Sequence, residues 1–315
     1  MARPLRIEYP GAFYHVTSRG NERKEVFRSR KDREQFLGYL ESATTRYEAC
    51  VYAYCLMSNH YHLLVETPGG NLSQIMAHIN GAYTTYFNTK RHRAGHLFQG
   101  RYKAILVERE EYAQELSRYI HLNAVRAKMV ARPQDHEWSS YRAYVGVEPR
   151  PSWLVTESIL SGFAAEEPKA QASYRDFVEG VIGKDEQSPL DKVKASTLLG
   201  SESFLHWIEE QFLKERPADR ELPALNEISE RPPLCFIRKA VEERFGGEPA
   251  KARRMALYLC HRYSGRKLRE IGAEFGVTES AVTQASKRMA RALAENQALR
   301  VSIDELRQVL PESKV

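Results

Sequence analysis

The chain has 315 residues, a length that predicts two or three domains. Hydrophobic residues make up 42% of it and charged residues 28%, a balance that excludes a fully disordered or fibrous protein. No run approaches the roughly 20 apolar residues of a bilayer span, and the N-terminus is not a secretory signal, so we expect a cytoplasmic protein with no membrane partner. The four cysteines form no Cys-x-x-Cys pair, which predicts free thiols and argues against a zinc finger.

The net charge of +6 conceals a segregation of charge along the chain. Residues 1–150 carry a net +7, residues 151–230 a net −8 and residues 231–300 a net +8. Two basic modules on either side of an acidic one suggest a polyanionic partner such as nucleic acid. Charge alone also fits solvated helices without any partner.

The first 145 residues alternate strand and helix signals. Strand-like runs are rich in β-branched and aromatic residues, and helical runs have apolar residues three and four apart. In chain order we predict a strand at 13–17, a helix at 31–46, strands at 51–57 and 60–65, a helix at 72–88, a strand at 102–107 and a helix at 110–124. This β-α-β-β-α-β-α order predicts an α+β fold, a ferredoxin-like split β-α-β sandwich.

The rest of the chain divides into three predicted segments. Residues 146–232 are acidic and interrupted by prolines, which predicts a connector of short helices. Residues 233–300 regain helical periodicity, and Gly276-Val277 followed by Thr278 predicts the turn and N-cap of a helix-turn-helix. Residues 301–315 are expected to be a tail.

His60 and His62 are the first candidate site residues. Residues i and i+2 of a strand share a face, so the two imidazoles are expected on one side, about 6.5–7 Å apart along the backbone. Two neutral imidazoles so placed can chelate a divalent cation. His-x-His alone is a weak signal, and two histidines on a solvated strand face are the common alternative.

Tyr119 and Asn123 are the second pair of candidates. They are four residues apart in a predicted helix and therefore lie on one helical face. By themselves they fit a core tyrosine followed by a helix end. Combined with the histidines they suggest a metal ion bound by His60, His62, the Asn123 amide oxygen and water, beside the Tyr119 hydroxyl. Such a metal acts as a Lewis acid on a scissile phosphate, and a tyrosine hydroxyl helped by it can serve as a nucleophile.

Four motifs of the first 145 residues resemble one known family. The segment Cys55–Val65 is similar to the metal-binding strand of the HUH single-strand DNA nucleases, and most closely to that of the REP-associated single-tyrosine transposases. The segments 15–21, 95–103 and 119–127 match the same family in order and spacing. Ser58 and Ala124 stand where members of the family usually have proline, a departure that loosens turns but removes no reactive group.

This resemblance implies a ferredoxin-like fold, a Mg²⁺ or Mn²⁺ ion on His60 and His62, and Tyr119 as the nucleophile. Asn123 stands where the family has its third polar ligand. The implied product is a 5′-phosphotyrosine with a free 3′-OH, formed on single-stranded or hairpin DNA from a palindromic repeat. Members occur as monomers and as dimers, so a monomer or a homodimer is expected. Four basic residues are candidates for holding the DNA backbone: Arg19, Arg23, Arg101 and Lys103.

The C-terminal region has a resemblance of its own. Residues 252–260 and 268–272 resemble the duplex-binding domain of the DnaA replication initiators, which implies that duplex DNA is a second partner. A helical packing or dimerisation module is the alternative. On the predicted recognition helix, the candidates for the major groove are Ser280, Gln284, Lys287 and Arg288. The candidates for phosphate contacts are Arg253, Arg254, Arg266 and Lys267.

The sequence therefore favours a metal-dependent tyrosine transposase that cleaves and rejoins DNA strands. A non-catalytic DNA-binding regulator with the same fold is the first alternative. A metallohydrolase that uses His60 and His62 to activate water fits less well, because it leaves Tyr119 without a role.

Overall fold

The structure, a computed structural model, describes residues 6–184, 187–213, 232–264 and 266–309. The chain forms two compact units, one from Pro4 to Ile208 and one from Glu209 onward. Within the described residues, no helix is both long and apolar enough to cross a bilayer. Residues 214–231 of the predicted connector and 310–315 of the predicted tail lie outside the described residues.

A five-stranded sheet forms the centre of the N-terminal unit, with the strand order β2-β3-β1-β4-β5. Its first four strands are antiparallel to their neighbours, in the order expected of a split β-α-β sandwich, so the predicted α+β fold is confirmed. A short fifth strand, which the sequence did not indicate, pairs in parallel with β4. The strands are β1 (Ala12–Arg19), β2 (Cys50–Leu56), β3 (His60–Thr67), β4 (Lys103–Val107) and β5 (Leu198–Leu199).

Helices cover both faces of this sheet. Phe36 and Tyr83, from the first two helices, pack with Tyr61 and Phe27 against one face. Leu116 and Ile120, from the third, pack against the other. The helices of this unit are α1 (Arg30–Tyr47), α2 (Leu72–Lys90), α3 (Arg109–His121), α4 (Asn123–Arg126), α5 (Tyr141–Tyr144), α6 (Glu157–Leu160), α7 (Glu167–Glu179) and α8 (Glu202–Ile208), with 3-10 turns at Asn21–Arg23, Pro133–Asp135 and Pro189–Lys192.

The N-terminal unit continues past residue 145, where the sequence suggested a domain boundary. Tyr174 of α7 is fully buried in the core that contains α3. Its hydroxyl lies 2.8 Å from Nδ1 of the buried His121, whose Nε2 lies 2.8 Å from the hydroxyl of Ser140. This hydrogen-bonded contact ties α7 to the end of α3, so the first part of the acidic segment belongs to the packed unit.

The C-terminal unit is helical. The turn between its third and fourth long helices has Gly276 in the left-handed region (φ +64°), and a Cβ on Gly272 would lie 2.5 Å from the Val277 carbonyl oxygen. Thr278 caps the following helix, because its hydroxyl accepts a hydrogen bond from the backbone N–H of Ala281. Residues 301–309, which the sequence assigned to a tail, belong to a helix that places Ile303 and Leu306 in the core. The elements are α9 (Leu234–Phe245), α10 (Pro249–Tyr263), α11 (Leu268–Phe275), α12 (Glu279–Glu295) and α13 (Gln297–Val309), with a π-helical turn at Glu209–Leu213.

Asp32 joins the start of α1 to the end of α2. Its buried carboxylate accepts hydrogen bonds from the Ser29 backbone N–H (3.1 Å) and the Lys90 ammonium (2.8 Å), and it pairs with Arg91. Burial alone would raise the pKa of this carboxyl, but the hydrogen bonds from Lys90, the Arg28 backbone and Arg91 outweigh it and lower the pKa to about 2.

We expect Asp32→Asn to lower the free energy of unfolding of the N-terminal unit by about 3 kcal/mol. This value is near the lower end of the cost of breaking a buried ion pair, because Lys90 is partly exposed. All three tryptophans lie between residues 138 and 207, so urea unfolding followed by tryptophan fluorescence reports on this unit. The depressed pKa implies that the carboxylate stabilises the native protein fully above its ordinary pKa of 3.8, and that this contribution is lost as the pH falls toward 2. Glu41→Gln, on the exposed face of α1, is the control. Equal stability of the two variants would contradict the assignment.

Candidate active site

The register of three strands assembles the candidate site. In β3, His60 and His62 lie on the same face, as the sequence predicts. Arg19 of β1 is directly opposite His60, and Thr17 is opposite His62 on one side and Lys103 of β4 on the other. The two histidines and two of the predicted basic residues therefore share one face of the sheet.

The imidazole rings of His60 and His62 are close to each other, with 5.2 Å between their centroids. A third imidazole, that of His15 in β1, is nearly coplanar with that of His62, with ring centroids 5.2 Å apart and ring planes 9° apart. Nε2 of His15 is 2.9 Å from Nδ1 of His62, and Nδ1 of His60 is 2.7 Å from Oδ1 of Asn59. Sequence reasoning assigned no role to His15 or Asn59. The available signal was that His15 lies four residues before the candidate Arg19 in the same strand, and therefore on the same face.

All three imidazoles are neutral at pH 7. Burial lowers the pKa of His15 to about 4. Burial, with the added effect of the Arg19 cation, lowers the pKa of His60 to about 4. The pKa of His62 is well below its ordinary value, because of burial first and then the neighbouring His15, His60 and Arg19. Neutral imidazole is the form that binds a metal ion.

Tyr119 lies on the face of α3 that covers this end of the sheet. Its ring centroid is 6.0 Å from those of His15 and His62, and the Arg126 guanidinium lies 4.7 Å from the ring centroid. Burial raises the pKa of the phenol, and Asp191 raises it further. Arg126, Arg19 and a hydrogen bond with Ser188 partly offset this increase. The structure thus brings Tyr119 together with His62.

The position of Asn123 differs from the sequence expectation. The helix predicted over 110–124 ends at His121, and Asn123 begins the short helix α4. Its amide nitrogen donates to the backbone carbonyls of Tyr119 (2.9 Å) and Ile120 (3.3 Å), so it caps the end of α3. The amide oxygen has no hydrogen-bonding partner among the described residues, and its role as a metal ligand stays a prediction.

A cleft of about 370 Å³ opens beside His62. One wall is the sheet face, and the other is formed by Leu190, Val193 and Ser196. This second wall lies within the segment that the sequence assigned to an acidic connector. The segment is held at both ends: Ser188 and Asp191 form a capping box, and β5 pairs with β4. The sheet side of the cleft is lined by His15, Thr17, His62, Lys103 and Ile105.

The two imidazoles that face this site suit a divalent cation. Both have Nδ1 hydrogen-bonded and Nε2 without a hydrogen-bonding partner among the described residues. In the same described part of the chain, no group of three or more His, Cys, Asp or Glu side chains is arranged to hold a metal ion. A cation on His60 and His62 would therefore need its remaining ligands from an amide, water or a phosphate.

The four basic residues predicted to hold DNA are exposed around this end of the sheet. The loop that precedes β4 is joined to the end of β1, because the Gln99 backbone N–H donates to the Arg19 carbonyl (2.8 Å). This contact places Arg101, two residues later, near the histidine end of β1. The carbonyl of Arg23 accepts from the Asn59 side chain at 2.9 Å.

The predicted recognition helix, α12, presents an exposed polar face. Gln284, Lys287 and Arg288 are exposed and follow Ser280 at spacings of four, seven and eight residues. Arg254, Arg266 and Lys267 are also exposed. Arg253 differs from this group, because its guanidinium donates to the Phe275 carbonyl and lies against the Phe275 ring.

Comparison with known proteins agrees with the sequence motifs. Residues 9–123 match the family model described as "Transposase IS200 like". No curated protein matches the chain. A solved structure described as "Structure of the REP associates tyrosine transposase bound to a REP hairpin" is 16% identical, with a TM-score of 0.41, over 49% of this chain and 92% of that one.

The transposase resemblance is confirmed for residues 9–123, the part of the chain that matches the IS200-like transposase model. The matched segment contains the candidate residues His60, His62, Tyr119 and Asn123. It ends before the cleft wall at 190–196 and before the C-terminal unit.

We expect Ser188→Ala to raise the pKa of Tyr119 further, because the hydrogen bond from Ser188 lowers it. The pKa can be followed by NMR of the tyrosine ¹³Cζ resonance, assigned with Tyr119→Phe. Ser161→Ala, on the exposed end of α6, is the matched control and should leave the titration unchanged. An unchanged or lower pKa in Ser188→Ala would show that the 187–196 segment does not reach the phenol in solution.

Proposed function

We propose that the N-terminal unit cleaves and rejoins single-stranded or hairpin DNA, with Tyr119 as the nucleophile. The observation that carries this proposal is the convergence of Tyr119, His60 and His62 at one end of the sheet, inside the segment that matches the transposase family. A hydroxyl nucleophile beside two cation-binding imidazoles is an arrangement suited to phosphoryl transfer.

The proposed reaction is a transfer of a phosphodiester. The phenolic oxygen of Tyr119 attacks the scissile phosphorus, and the bond from phosphorus to the 3′ oxygen breaks. The phenol proton ends, directly or through water, on the leaving 3′ oxygen. The products are a 5′-phosphotyrosine and a free 3′-OH, and attack by a 3′-OH on the phosphotyrosine reverses the step and joins strands.

His60 and His62 would hold a Mg²⁺ or Mn²⁺ ion through their Nε2 atoms, with Asn123 as a candidate third ligand. The ion would supply Lewis-acid stabilisation of the charge on the phosphate. Arg126 and Arg19 lower the cost of ionising the Tyr119 phenol. Lys103 and Arg19, on the same sheet face, are suited to bind the phosphates on either side of the scissile one.

The cleft wall at 190–196 favours a single-stranded over a duplex substrate at the candidate site. It faces His62 across a cleft of about 370 Å³. A DNA duplex presents two backbones, whereas an unpaired strand can present a single phosphate to a cleft of this kind. A hairpin fits if its paired stem stays outside and its flanking strand enters.

Tyr119→Phe should abolish the covalent protein–DNA adduct while leaving the fold and hairpin affinity unchanged, because one oxygen is removed and packing is kept. Denaturing electrophoresis of labelled hairpin DNA with Mg²⁺ or Mn²⁺ measures the adduct. Tyr112→Phe, two turns earlier on α3, is the matched control and should form it normally. An adduct in Tyr119→Phe contradicts the assignment. Cut product without an adduct in the unchanged protein would favour the metallohydrolase, and a shift on native gels alone would favour the DNA-binding regulator.

His60→Ala should abolish cleavage, and EDTA should do the same to the unchanged protein, because both remove the cation from the scissile phosphate. Hairpin binding should change less than about threefold, since most affinity comes from phosphate contacts with Lys and Arg. Binding is measured by fluorescence anisotropy and cleavage by gel. His78→Ala on α2 is the control histidine. Full cleavage in EDTA would exclude a role for the cation.

We further propose that the C-terminal unit binds duplex DNA through α12. Its exposed polar face supports this, since Lys287 and Arg288 lie on the same stripe as Gln284 and follow an N-capped turn. Arg253 is a weaker candidate for phosphate contact than Arg254, because its guanidinium already binds the Phe275 carbonyl.

The double variant Lys287→Glu/Arg288→Glu should lower duplex affinity at least about tenfold, since two cations on the proposed major-groove face become anions that the DNA repels. Hairpin cleavage at saturating substrate should be unchanged. Lys239→Glu/Arg262→Glu, which makes the same charge change on α9 and α10, is the control. Equal duplex affinities for the two double variants would show that α12 is not the recognition helix.

A further inference from the structure

His60 and His62 each have a hydrogen-bonding partner on the side of the ring opposite to the candidate cation position. For His60 the partner is Asn59, whose Oδ1 lies 2.7 Å from Nδ1. The orientation of this amide is fixed by its nitrogen, which donates to the Arg23 carbonyl at 2.9 Å. The amide oxygen can only accept, so Nδ1 of His60 carries the proton and Nε2 has a free lone pair.

For His62 the partner is His15, and here the direction of the hydrogen bond is not fixed. Nε2 of His15 and Nδ1 of His62 are 2.9 Å apart, and both side chains are buried. Both rings are neutral, so the hydrogen bond holds one proton, and each ring has one further nitrogen. If His15 donates, the proton of His62 is on Nε2. If His15 accepts, the proton of His62 is on Nδ1.

Only the second arrangement lets His62 bind a cation through Nε2. Nδ1 of His15 has no hydrogen-bonding partner among the described residues in either arrangement. No protein group therefore fixes the direction of the hydrogen bond between His15 and His62. Its direction is set by the group that binds at Nε2 of His62. The two ring planes are 9° apart and the centroids 5.2 Å apart, so the rings lie edge to edge in nearly one plane and the two nitrogens point at each other.

We propose that His15 is a positioning residue for the cation site: it accepts the Nδ1 proton of His62, orients that ring and leaves its Nε2 lone pair free for a divalent cation. This inference rests on the proposed role of His62 as a cation ligand. The sheet register explains why position 15 serves this purpose. Thr17 is directly opposite His62, and His15, two residues along the same face, reaches the far side of the ring.

A partner of this kind matters because His62 is buried and its Nδ1 faces the buried His15. With His15 as acceptor, the unpaired N–H is at Nδ1 of His15, one ring away from the cation. Without an acceptor at position 15, it would be on the cation-binding ring itself, which would also lose the contact that orients it and raises its basicity. Loss of such supporting contacts weakens metal binding by about 10–100-fold. Glutamine provides the matched replacement, because its amide oxygen can reach a similar position and accept the same proton.

The test compares Mn²⁺ affinity, measured from the electron paramagnetic resonance signal of free Mn²⁺, in the unchanged protein and in full-length His15→Leu, His15→Gln and His62→Ala. We expect His62→Ala to lose the site, His15→Leu to bind about 10–100-fold more weakly and His15→Gln to stay within about threefold of the unchanged protein. Hairpin affinity without metal should be equal in all four. His78→Leu is the control for loss of a histidine elsewhere.

The outcomes separate this inference from the function it rests on. If His62→Ala keeps the affinity of the unchanged protein, the cation role of His62 is wrong and the inference falls with it. If His62→Ala loses the site but His15→Leu does not, only the inference is overturned. If His15→Leu fails to fold, as judged by tryptophan fluorescence, the imidazole ¹⁵N shifts of the Mg²⁺-saturated unchanged protein decide. A proton on Nδ1 of His62 supports the inference, and a proton on Nε2 overturns it.

Discussion

The position of β1 between β3 and β4 is the constraint on which the candidate site depends. Pairing of Thr17 with both His62 and Lys103 brings an imidazole and an ammonium from two different strands onto one face. The side-chain period of a strand is two, so a shift of one residue in this register would send His15, Thr17 and Arg19 to the opposite face. That face is filled by Phe36, Tyr61 and Tyr83 from the core under α1 and α2. The packing of an apolar core thus specifies the geometry of a polar site.

Burial gives the site its chemical character. The three imidazoles are neutral because the cost of desolvating a charged ring is large and no carboxylate among the described residues offsets it. Asp32 remains ionised under α2 because it has two cationic partners. The same burial makes the Tyr119 phenol harder to ionise. For the proposed reaction, the neutral imidazoles would bind a cation, and the tyrosine would depend on nearby positive charge to act as a nucleophile.

Local patterns were sufficient to predict the first four strands, the helices that follow them, the shared face of His60 and His62 and the turn before α12. These features depend on period, capping and turn chemistry, which short segments carry. The end of α3 at His121 was not predictable from the sequence. Asn123 caps this end through its side chain, but an asparagine at that position is equally compatible with a helix that continues. The cleft wall at 190–196 depends on pairing between distant segments, and composition suggested only an acidic connector there. The contact of His15 with His62 also depends on pairing between distant segments, and from the sequence His15 was only a strand residue.

The central claim is that His60, His62 and Tyr119 act on one scissile phosphate. It is tested most directly by anomalous diffraction from crystals of the Tyr119→Phe variant bound to a hairpin with a flanking single strand and Mn²⁺. The account predicts a single manganese peak at the sheet face, bonded to Nε2 of both histidines and to a phosphate oxygen that faces the ring at position 119. A manganese peak away from the two histidines, or a strand whose phosphates stay outside the cleft, would contradict it.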